Sequence, residues 1–242
     1  MNDSLLFVSA VSRLDVLRDA LLASPCLQPG GHPLVLRWNA ASAAEALNPV
    51  LDARPPQRWV VWVHQDVWLP PGWDERFVAA LALARSRWGD ALWVAGVYGL
   101  QGAGRHARRA GHVRDRGQWL HEPAELPCRV DSLDELLLAV RSDAPLRADP
   151  ALGFDFYATD LVLQAQQAGA CAAVLDAPCE HRSDTPRDGP MPRSLVQRIK
   201  HNGAVFERKW AHRLPVSTPC FEIAQPGDVA AFADRFPLRD PG

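Results

Sequence analysis

The sequence predicts a single α/β domain with a central, mostly parallel sheet flanked by helices. Short apolar runs alternate with helically spaced apolar residues along the first hundred residues, in the order strand, helix, strand, helix, strand. This alternation is typical of parallel sheets with right-handed crossovers. The chain has 242 residues, 48% of them hydrophobic, which is enough for one domain with a full core.

The first strand is the apolar run 5–8, and a helix follows it directly. Ser12 can cap this helix, and Leu14, Leu17 and Leu21 lie on one of its faces. Helically spaced or continuous apolar residues predict the next elements: strand 34–37, helix 42–51, strand 58–63, helix 73–88 and strand 92–97.

The second half of the chain is less regular. Residues 99–127 are rich in Gly, His and Arg and indicate a loop, with room for short strands. The elements expected after it are strand 136–141, a helix from Asp160 to about Ala168 that Gly169 ends, strand 172–175 and helix 194–210. Residues 1–214 are expected to form the domain, and 215–242 an irregular tail.

The composition excludes several classes of protein. Lys and Arg number 26 against 28 Asp and Glu, giving a net charge of −2, so nucleic acid is not an expected partner. Five widely spaced cysteines without a C-x-x-C pair indicate reduced thiols. The start of the chain lacks the pattern of a signal peptide, and no apolar run is long enough to span a bilayer. A cytoplasmic protein without a transmembrane segment is expected.

The apolar run 60–63 stops abruptly in His64 and Asp66, two side chains that can bind metal. Side chains alternate along a strand, so these two lie on the same side, with Gln65 opposed. Ligands bind beyond the carboxyl ends of strands in open α/β sheets. The motif therefore indicates a cation or metal–phosphate site, although Asp66 could instead cap the turn and His64 could bond a neighbouring carbonyl.

Two later groups could join this site if the carboxyl ends of the strands share one edge. Asp160 begins a predicted helix, where it could act as a general base or simply cap the helix. His181 follows the last predicted strand and could bind metal, although isolated histidines are usually structural. The spacing alone does not show that these residues converge.

Other candidates surround these residues. Asp131, Asp134 and Glu135 could bind acceptor hydroxyls or cations, or could be solvated acidic groups. The arginines between 105 and 116 could contact an anion. Indole faces at crevice or loop positions could stack on a sugar ring, with core packing as the alternative; these are Trp68, Trp73 and Trp119.

Over roughly residues 5–215 the ordered motifs resemble a glycosyltransferase-like family of the GT-A type, related to glycosyltransferase family 2 and to a streptomycin-biosynthesis protein. The residues that carry the resemblance are Val61-Trp-Val-His-Gln-Asp-Val67, Gly72-Trp73, Val94-Ala-Gly-Val-Tyr-Gly99, Val130-Asp-Ser-Leu-Asp-Glu-Leu-Leu137, Gly153-Phe-Asp-Phe-Tyr-Ala-Thr-Asp-Leu161 and His181-Arg-Ser183.

The resemblance implies a nucleotide-diphospho-sugar transferase fold and an inverting, metal-assisted sugar transfer. A nucleotide-sugar donor and an unknown glycan or small-molecule acceptor would be the partners. Asp66, His64 and His181 would hold a divalent cation, Mn²⁺ or Mg²⁺, against the donor diphosphate. Asp160 would be the catalytic base. The remaining expected contacts are Ser9, Arg37, Asn39 and Gln65 to the donor, and Asp134, Glu135, Tyr157 and Trp73 on the acceptor side.

Departures from the family pattern keep two rival hypotheses open. Members commonly carry His at Asp155, Glu at Thr159 and Asn at Arg182. One rival is a non-catalytic module that binds a nucleotide sugar or glycan on the same fold. The other is a metal-dependent hydrolase, which would require metal but no sugar donor.

Overall fold

A mixed seven-stranded sheet forms the centre of the structure, a computed structural model that describes residues 3–183 and 189–239. In chain order the strands are β1 (Leu5–Val11), β2 (Leu34–Trp38), β3 (Trp59–Val63), β4 (Val67–Trp68), β5 (Leu92–Gly96), β6 (Tyr98–Gln101), β7 (Arg108–Asp115), β8 (Gln118–His121), β9 (Cys128–Val130), β10 (Ser132–Leu133), β11 (Leu137–Arg141), β12 (Cys171–Val174), β13 (Cys179–His181), β14 (Met191–Pro192), β15 (Val216–Ser217), β16 (Glu222–Ile223) and β17 (Leu238–Arg239). The helices are α1 (Leu14–Asp19), α2 (Ala43–Asp52), α3 (Trp73–Trp88), α4 (Tyr157–Gln167), α5 (Arg193–Lys209) and α6 (Asp228–Ala233).

The strand order in the central sheet is β2-β1-β3-β11-β5-β12-β9. β1 runs parallel to β2 and β3, and β12 runs parallel to β5, whereas β11 is antiparallel to both of its neighbours and β9 is antiparallel to β12. The expectation of a mostly parallel sheet is therefore wrong. β6 follows β5 directly and β10 pairs with β6, so the chain re-enters the central sheet at the end where β5 leaves it, and β11 runs antiparallel to β5.

The core lies on both faces of the central sheet. Trp59, Val61 and Val63 of β3 belong to one buried apolar cluster, and Val60 and Trp62 belong to the other. Because consecutive side chains of a strand point to opposite faces, a strand buried on both faces reads as an uninterrupted apolar run. The strand expected at 58–63 is confirmed on this basis.

A second sheet lies where the sequence indicated a loop. Its strand order is β10-β6-β7-β13-β4, with β8 paired to β7. β7 and β8 form a hairpin whose turn residues Arg116 and Gly117 have φ of 49° and 81°. This sheet positions the candidate site, because it holds β13 between β4 and β7. In the part of the chain that the structure describes, no helix has the length and apolar character needed to cross a membrane.

The segment 215–239 is more regular than expected. It contains the short pair β15 and β16, helix α6 and the short strand β17. Val216, Ile223 and Val229 are buried in one apolar cluster with Phe206 and Trp210 of the α5 region. Elements of two to six residues are too short to show a clear period, so sequence patterning misses them.

Gly203→Ala is expected to loosen this segment from α5. A Cβ at Gly203 would lie 2.2 Å from Cγ1 of Val229, a fully buried residue of α6. Overpacking of this kind outweighs the better helix propensity of alanine, so we expect the free energy of unfolding to fall by about 1–2 kcal/mol. Urea denaturation measures the change, and exposed Ala204→Ser in the next position is the control. An unchanged or higher midpoint for Gly203→Ala would contradict this packing.

Candidate metal centre and ligand crevice

Three side chains predicted to bind metal converge at the carboxyl end of β3. His64 and Asp66 follow β3 directly, and β13 delivers His181 because its register pairs His181 with Val67 of β4. Asp66 Oδ1 lies 4.0 Å from His64 Nδ1 and 3.4 Å from His181 Nε2. One ligand atom from each residue can be chosen so that all three lie within 4.8 Å of one another. The predicted convergence of these residues is therefore present in the structure.

Hydrogen bonds fix which nitrogen of His64 can bind metal. Tyr157 donates its hydroxyl hydrogen to the carbonyl of Glu135 at 2.9 Å and accepts a hydrogen bond from Trp62 Nε1 at 3.0 Å. His64 Nε2 lies 2.7 Å from the same hydroxyl oxygen and must therefore donate to it. Burial lowers the pKa of His64 to about 4, which keeps the imidazole neutral. The lone pair of Nδ1 is consequently available on the side that faces Asp66.

A carboxylate orients His181 in the opposite sense. Asp115 Oδ1 lies 2.9 Å from His181 Nδ1, because β13 runs beside β7 with these two residues in register. Burial alone would lower the pKa of His181, but the carboxylates of Asp115 and Asp66 outweigh it and raise the pKa to about 9. A metal ion would displace the Nε2 proton, and Asp115 would keep the Nδ1 proton in place. Carboxylate–histidine pairs of this kind orient metal ligands in many proteins.

Asp66 presents an unsatisfied atom to the two imidazoles. Its Oδ1 is buried and, among the described residues, accepts no hydrogen bond of good geometry; its 3.4 Å contact with His181 Nε2 is an ion pair. Burial works to raise the pKa of Asp66, but the imidazoles of His181 and His64 outweigh it and lower the pKa. A buried carboxylate oxygen normally has a partner, and a cation would supply one. Two imidazoles and one carboxylate fit a divalent metal, and the nitrogens favour a transition metal over Mg²⁺.

Two of the three metal-competent residues, His64 and Asp66, line a crevice of about 280 Å³. It is lined by Ala10, Val11, Ser12, Asn39, Ala40, Trp62, His64, Gln65, Asp66, Phe154 and Arg198. The first five lie at or beyond the carboxyl ends of β1 and β2. The crevice therefore has the location where open α/β sheets bind ligands.

The residues expected to contact the donor occupy different positions. Asn39 lines the crevice, whereas Ser9 is fully buried within β1 and Arg37 is exposed on the edge strand β2. Gln65 lines the crevice, but its amide is occupied: Oε1 accepts from two backbone N–H groups, and Nε2 donates to the hydroxyl of Ser12. Ser12 consequently anchors this loop and does not cap α1, which has no side-chain cap.

Asp160 does not face the crevice. It is fully buried on α4, where its carboxylate contacts Lys209 Nζ at 2.8 Å, Trp210 Nε1 at 2.8 Å and Gln164 Nε2 at 2.7 Å. Burial raises its pKa, while these three partners act to lower it. With both oxygens bound to protein groups, Asp160 is poorly placed to receive a proton from an acceptor. The geometry favours a structural role over the predicted one as general base.

The residues expected on the acceptor side divide into two groups. Trp73 is buried, stacks on Phe77 with ring centroids 4.6 Å apart and donates to the carbonyl of Ala177, so it belongs to the core. Tyr157 is also fully buried and acts on His64, as described above. Asp134 and Glu135 are partly exposed, and burial is the main cause that raises the pKa of both carboxyl groups. Among the described residues, Glu135 Oε1 is buried without a hydrogen-bond partner.

Sequence reasoning missed two residues of this region. Asp115 lies in an Arg-rich stretch and reaches His181 only through the register of β7 and β13. Arg198 lies on α5 and lines the crevice, yet nothing in the local sequence distinguishes it from the other arginines of that helix. Both positions depend on contacts between distant segments, which a single sequence does not show.

Asp115→Asn is expected to weaken metal binding without removing a ligand. The substitution replaces the carboxylate that orients His181 with a neutral amide. Changes to such supporting groups lower metal affinity about 10- to 100-fold. Isothermal titration with Mn²⁺ measures the affinity, with exposed Trp119→Ser in the same hairpin as the control. Equal Mn²⁺ affinity in Asp115→Asn, Trp119→Ser and the wild type would show that Asp115 does not support metal binding.

No family model matches the sequence. A protein of Fuscovulum blasticum described as "ATP synthase subunits region ORF 6" is 35% identical over 159 residues, which cover 63% of this chain and 61% of that protein. The chain thus spans less than two thirds of that relative's length.

Two solved structures are similar at low identity. The crystal structure of GalNAc-T7 with UDP, GalNAc and Mn²⁺ has a TM-score of 0.48 and 12% identity, and the similarity covers 74% of this chain and 43% of that one. The crystal structure of A197 from STIV has a TM-score of 0.43 and 14% identity, with 72% and 82% covered.

Proposed function

We propose that this chain is a glycosyltransferase that moves a sugar from a nucleotide-diphosphate donor to an acceptor hydroxyl, with inversion. The proposal is carried by one observation: the buried Oδ1 of Asp66, which accepts no hydrogen bond of good geometry among the described residues, lies 4.0 Å from His64 Nδ1 and 3.4 Å from His181 Nε2, beside the crevice. The motif resemblance supplies the reaction class. Mn²⁺ is the proposed ion, because imidazole ligands suit a transition metal better than Mg²⁺.

In this proposal each part of the crevice has a role. His64, Asp66 and His181 hold the cation, which when bound neutralises negative charge on the departing diphosphate. Asn39 and Ser12, beyond the ends of β2 and β1, contact the nucleotide. Gln65 keeps the loop that contains Ser12 in place. Tyr157 and Asp115 hold the two imidazoles in the orientation that binding requires.

Glu135 is the proposed proton acceptor in place of Asp160, because among the described residues its Oε1 accepts no hydrogen bond, whereas both oxygens of Asp160 are occupied. Burial, Asp155 and Asp134 raise the pKa of Glu135 well above its usual value, which makes its carboxylate a stronger base. Its backbone carbonyl accepts the Tyr157 hydroxyl that also bonds His64, so Glu135 belongs to the same hydrogen-bonded unit. Asp134 would lie beside it on the acceptor side.

The sequestered carboxylate of Asp160 favours a second candidate function. If this residue had been the base of a transferase ancestor, its present ion pair with Lys209 would leave a module that binds a nucleotide sugar without transferring it. Both functions require nucleotide and metal binding. They differ in whether the donor is consumed.

Thermal shift with nucleoside diphosphates, each with and without Mn²⁺, tests binding, because a ligand specific for the folded state raises its stability. We expect stabilisation by at least one nucleotide only when Mn²⁺ is present. Donor hydrolysis or transfer with the matching nucleotide sugar then separates the two functions. If no nucleotide stabilises the metal-bound protein, both the transferase and the binding module are excluded.

Glu135→Gln is expected to lower transfer at least about 100-fold, within the range that general base catalysis contributes. Nucleotide and Mn²⁺ binding should stay within about twofold of the wild type, because Glu135 contacts the site through its backbone carbonyl. The rate of sugar transfer at saturating donor is the measurement. A variant that retains wild-type turnover would exclude Glu135 as the base.

A further inference from the structure

Arg198 brings a positive charge to the wall of the crevice from a helix far along the chain. It lies on α5, more than a hundred residues after the other lining side chains except Phe154. Of the lining residues, Arg198 is the one whose side chain is permanently cationic. Its side chain is 47% exposed, so it is accessible from solvent. The metal-binding function does not require this residue.

A set of contacts holds the guanidinium in place. Asp155 accepts two parallel hydrogen bonds from Arg198, from Nε at 3.0 Å and from Nη2 at 3.1 Å. Asn202, one turn later on α5, donates to the same carboxylate at 2.7 Å. Gly153 allows this approach, since a Cβ there would lie 2.8 Å from Asn202 Nδ2. A guanidinium group held along one edge has lost most of its rotational freedom before a ligand binds.

The held guanidinium retains capacity for a ligand. Arginine has five N–H donors, and Asp155 uses two of them. Among the described residues no group accepts a hydrogen bond from Nη1 of Arg198, so both of its N–H groups remain for a ligand in the crevice. One N–H of Nη1 and the second N–H of Nη2 lie parallel at the free end of the guanidinium, and such a pair matches two oxygens of a phosphate or carboxylate.

The charge balance of the crevice also calls for a cation. A divalent ion bound by one carboxylate and two neutral imidazoles leaves a single net positive charge. A nucleoside diphosphate carries more negative charge than that, and an acidic acceptor would add further negative charge. Arg198 is the cationic side chain of the lining that can meet this charge, and Asp155 balances it before a ligand binds.

We infer that Arg198 is an oxyanion-binding residue of this crevice, held by Asp155 and Asn202 to bind a phosphate or carboxylate group of the ligand. The inference rests on the proposed function in taking donor or acceptor as that ligand. The oxyanion has two possible sources, the donor diphosphate and an acidic group of the acceptor. Both present the same chemistry to the guanidinium.

Isothermal titration of the full chain tests the inference with Arg198→Gln, Arg198→Lys and the control Arg208→Gln, an exposed arginine of the same helix. One set of titrations adds inorganic pyrophosphate or UDP to Mn²⁺-saturated protein, and the other adds inorganic phosphate or glucuronate to protein saturated with Mn²⁺ and UDP. We expect Arg198→Gln to weaken at least one of these ligands about tenfold or more. Arg198→Lys should weaken it less, since lysine keeps the charge and loses the fork.

The affected set identifies the source of the oxyanion. A loss confined to pyrophosphate and UDP assigns Arg198 to the donor, and a loss confined to phosphate or glucuronate assigns it to an acidic acceptor. Mn²⁺ affinity and far-ultraviolet circular dichroism should match the control in either case. Wild-type affinity of Arg198→Gln for all four ligands overturns the inference.

The design separates this inference from the proposed function. If wild-type protein binds Mn²⁺ and UDP, and Arg198→Gln binds all ligands equally well, the inference falls and the function stands. If wild-type protein binds no UDP, then pyrophosphate, phosphate and glucuronate are titrated into protein saturated with Mn²⁺ alone. Binding of one of them that Arg198→Gln weakens then upholds the inference while the proposed function falls. Binding of none of the four ligands by the wild type overturns both.

Discussion

Asp66→Asn is expected to abolish tight divalent-metal binding while the fold remains intact. Asp66 supplies the only carboxylate of the three groups that converge among the described residues, and its Oδ1 lies between the two imidazole nitrogens. An amide keeps the shape but loses the charge. We expect Mn²⁺ affinity to fall by more than the roughly 10- to 100-fold that a change in an outer supporting group causes.

Thermal unfolding with and without Mn²⁺ gives a second measurement of the same effect. At a metal concentration 100 times the dissociation constant, the wild type should gain about 2.7 kcal/mol of stability. Asp66→Asn should gain almost none at that concentration, and any nucleotide stabilisation that depends on Mn²⁺ should disappear with it. Without metal, the circular dichroism spectra of variant and wild type should coincide.

Glu180→Gln is the matched control for this variant. Glu180 precedes His181 on β13, but its carboxylate lies near the guanidinium groups of Arg114 and Arg182. Removing that charge should leave Mn²⁺ affinity nearly unchanged. If Glu180→Gln loses as much Mn²⁺ affinity as Asp66→Asn, the affinity depends on the total charge of the region and not on Asp66 as a ligand. If Asp66→Asn binds Mn²⁺ normally, the proposed centre is wrong.

The sequence predicts the shared position of His64 and Asp66 better than it predicts the sheet. The apolar run before His64 identifies a buried strand, and strand alternation places His64 and Asp66 on one side. These are local properties, so they can be read from consecutive residues. The direction of β11 is not local. An apolar run at 137–141 looks the same in a parallel or an antiparallel strand. The direction depends on the pairing of β10 with β6, which brings the chain back to the central sheet at the end of β5.

The side chains of α4 show the same limit at the scale of single residues. The sequence places Asp160 near the start of a helix, and the structure confirms that helix. The end of α5 covers the face of α4 that carries Asp160, because Lys209 and Trp210 contact its carboxylate. Tyr157, three residues earlier, instead reaches His64. Periodicity identifies which residues share a face but not what that face contacts.

Asp160→Asn is therefore expected to destabilise the protein without impairing nucleotide or metal binding. In the folded state the carboxylate accepts from Lys209, Trp210 and Gln164, which ties α4 to the end of α5. An asparagine amide group would present hydrogens to some of these donors. Breaking a buried ion pair on one side costs about 3–5 kcal/mol, and the partial exposure of Lys209 places the expected loss near 3 kcal/mol.

Urea denaturation of Asp160→Asn measures this loss, and Asp176→Asn is the control, since Asp176 pairs with Arg76 at an exposed position. Exposed pairs contribute about 1 kcal/mol or less, so the control should unfold almost as the wild type does. Transfer measured below the unfolding transition decides the role of Asp160. A variant with wild-type stability and abolished turnover would restore Asp160 as the base and contradict the structural role. A destabilised variant that still transfers sugar, while Glu135→Gln does not, would place the proton acceptor beside the metal centre.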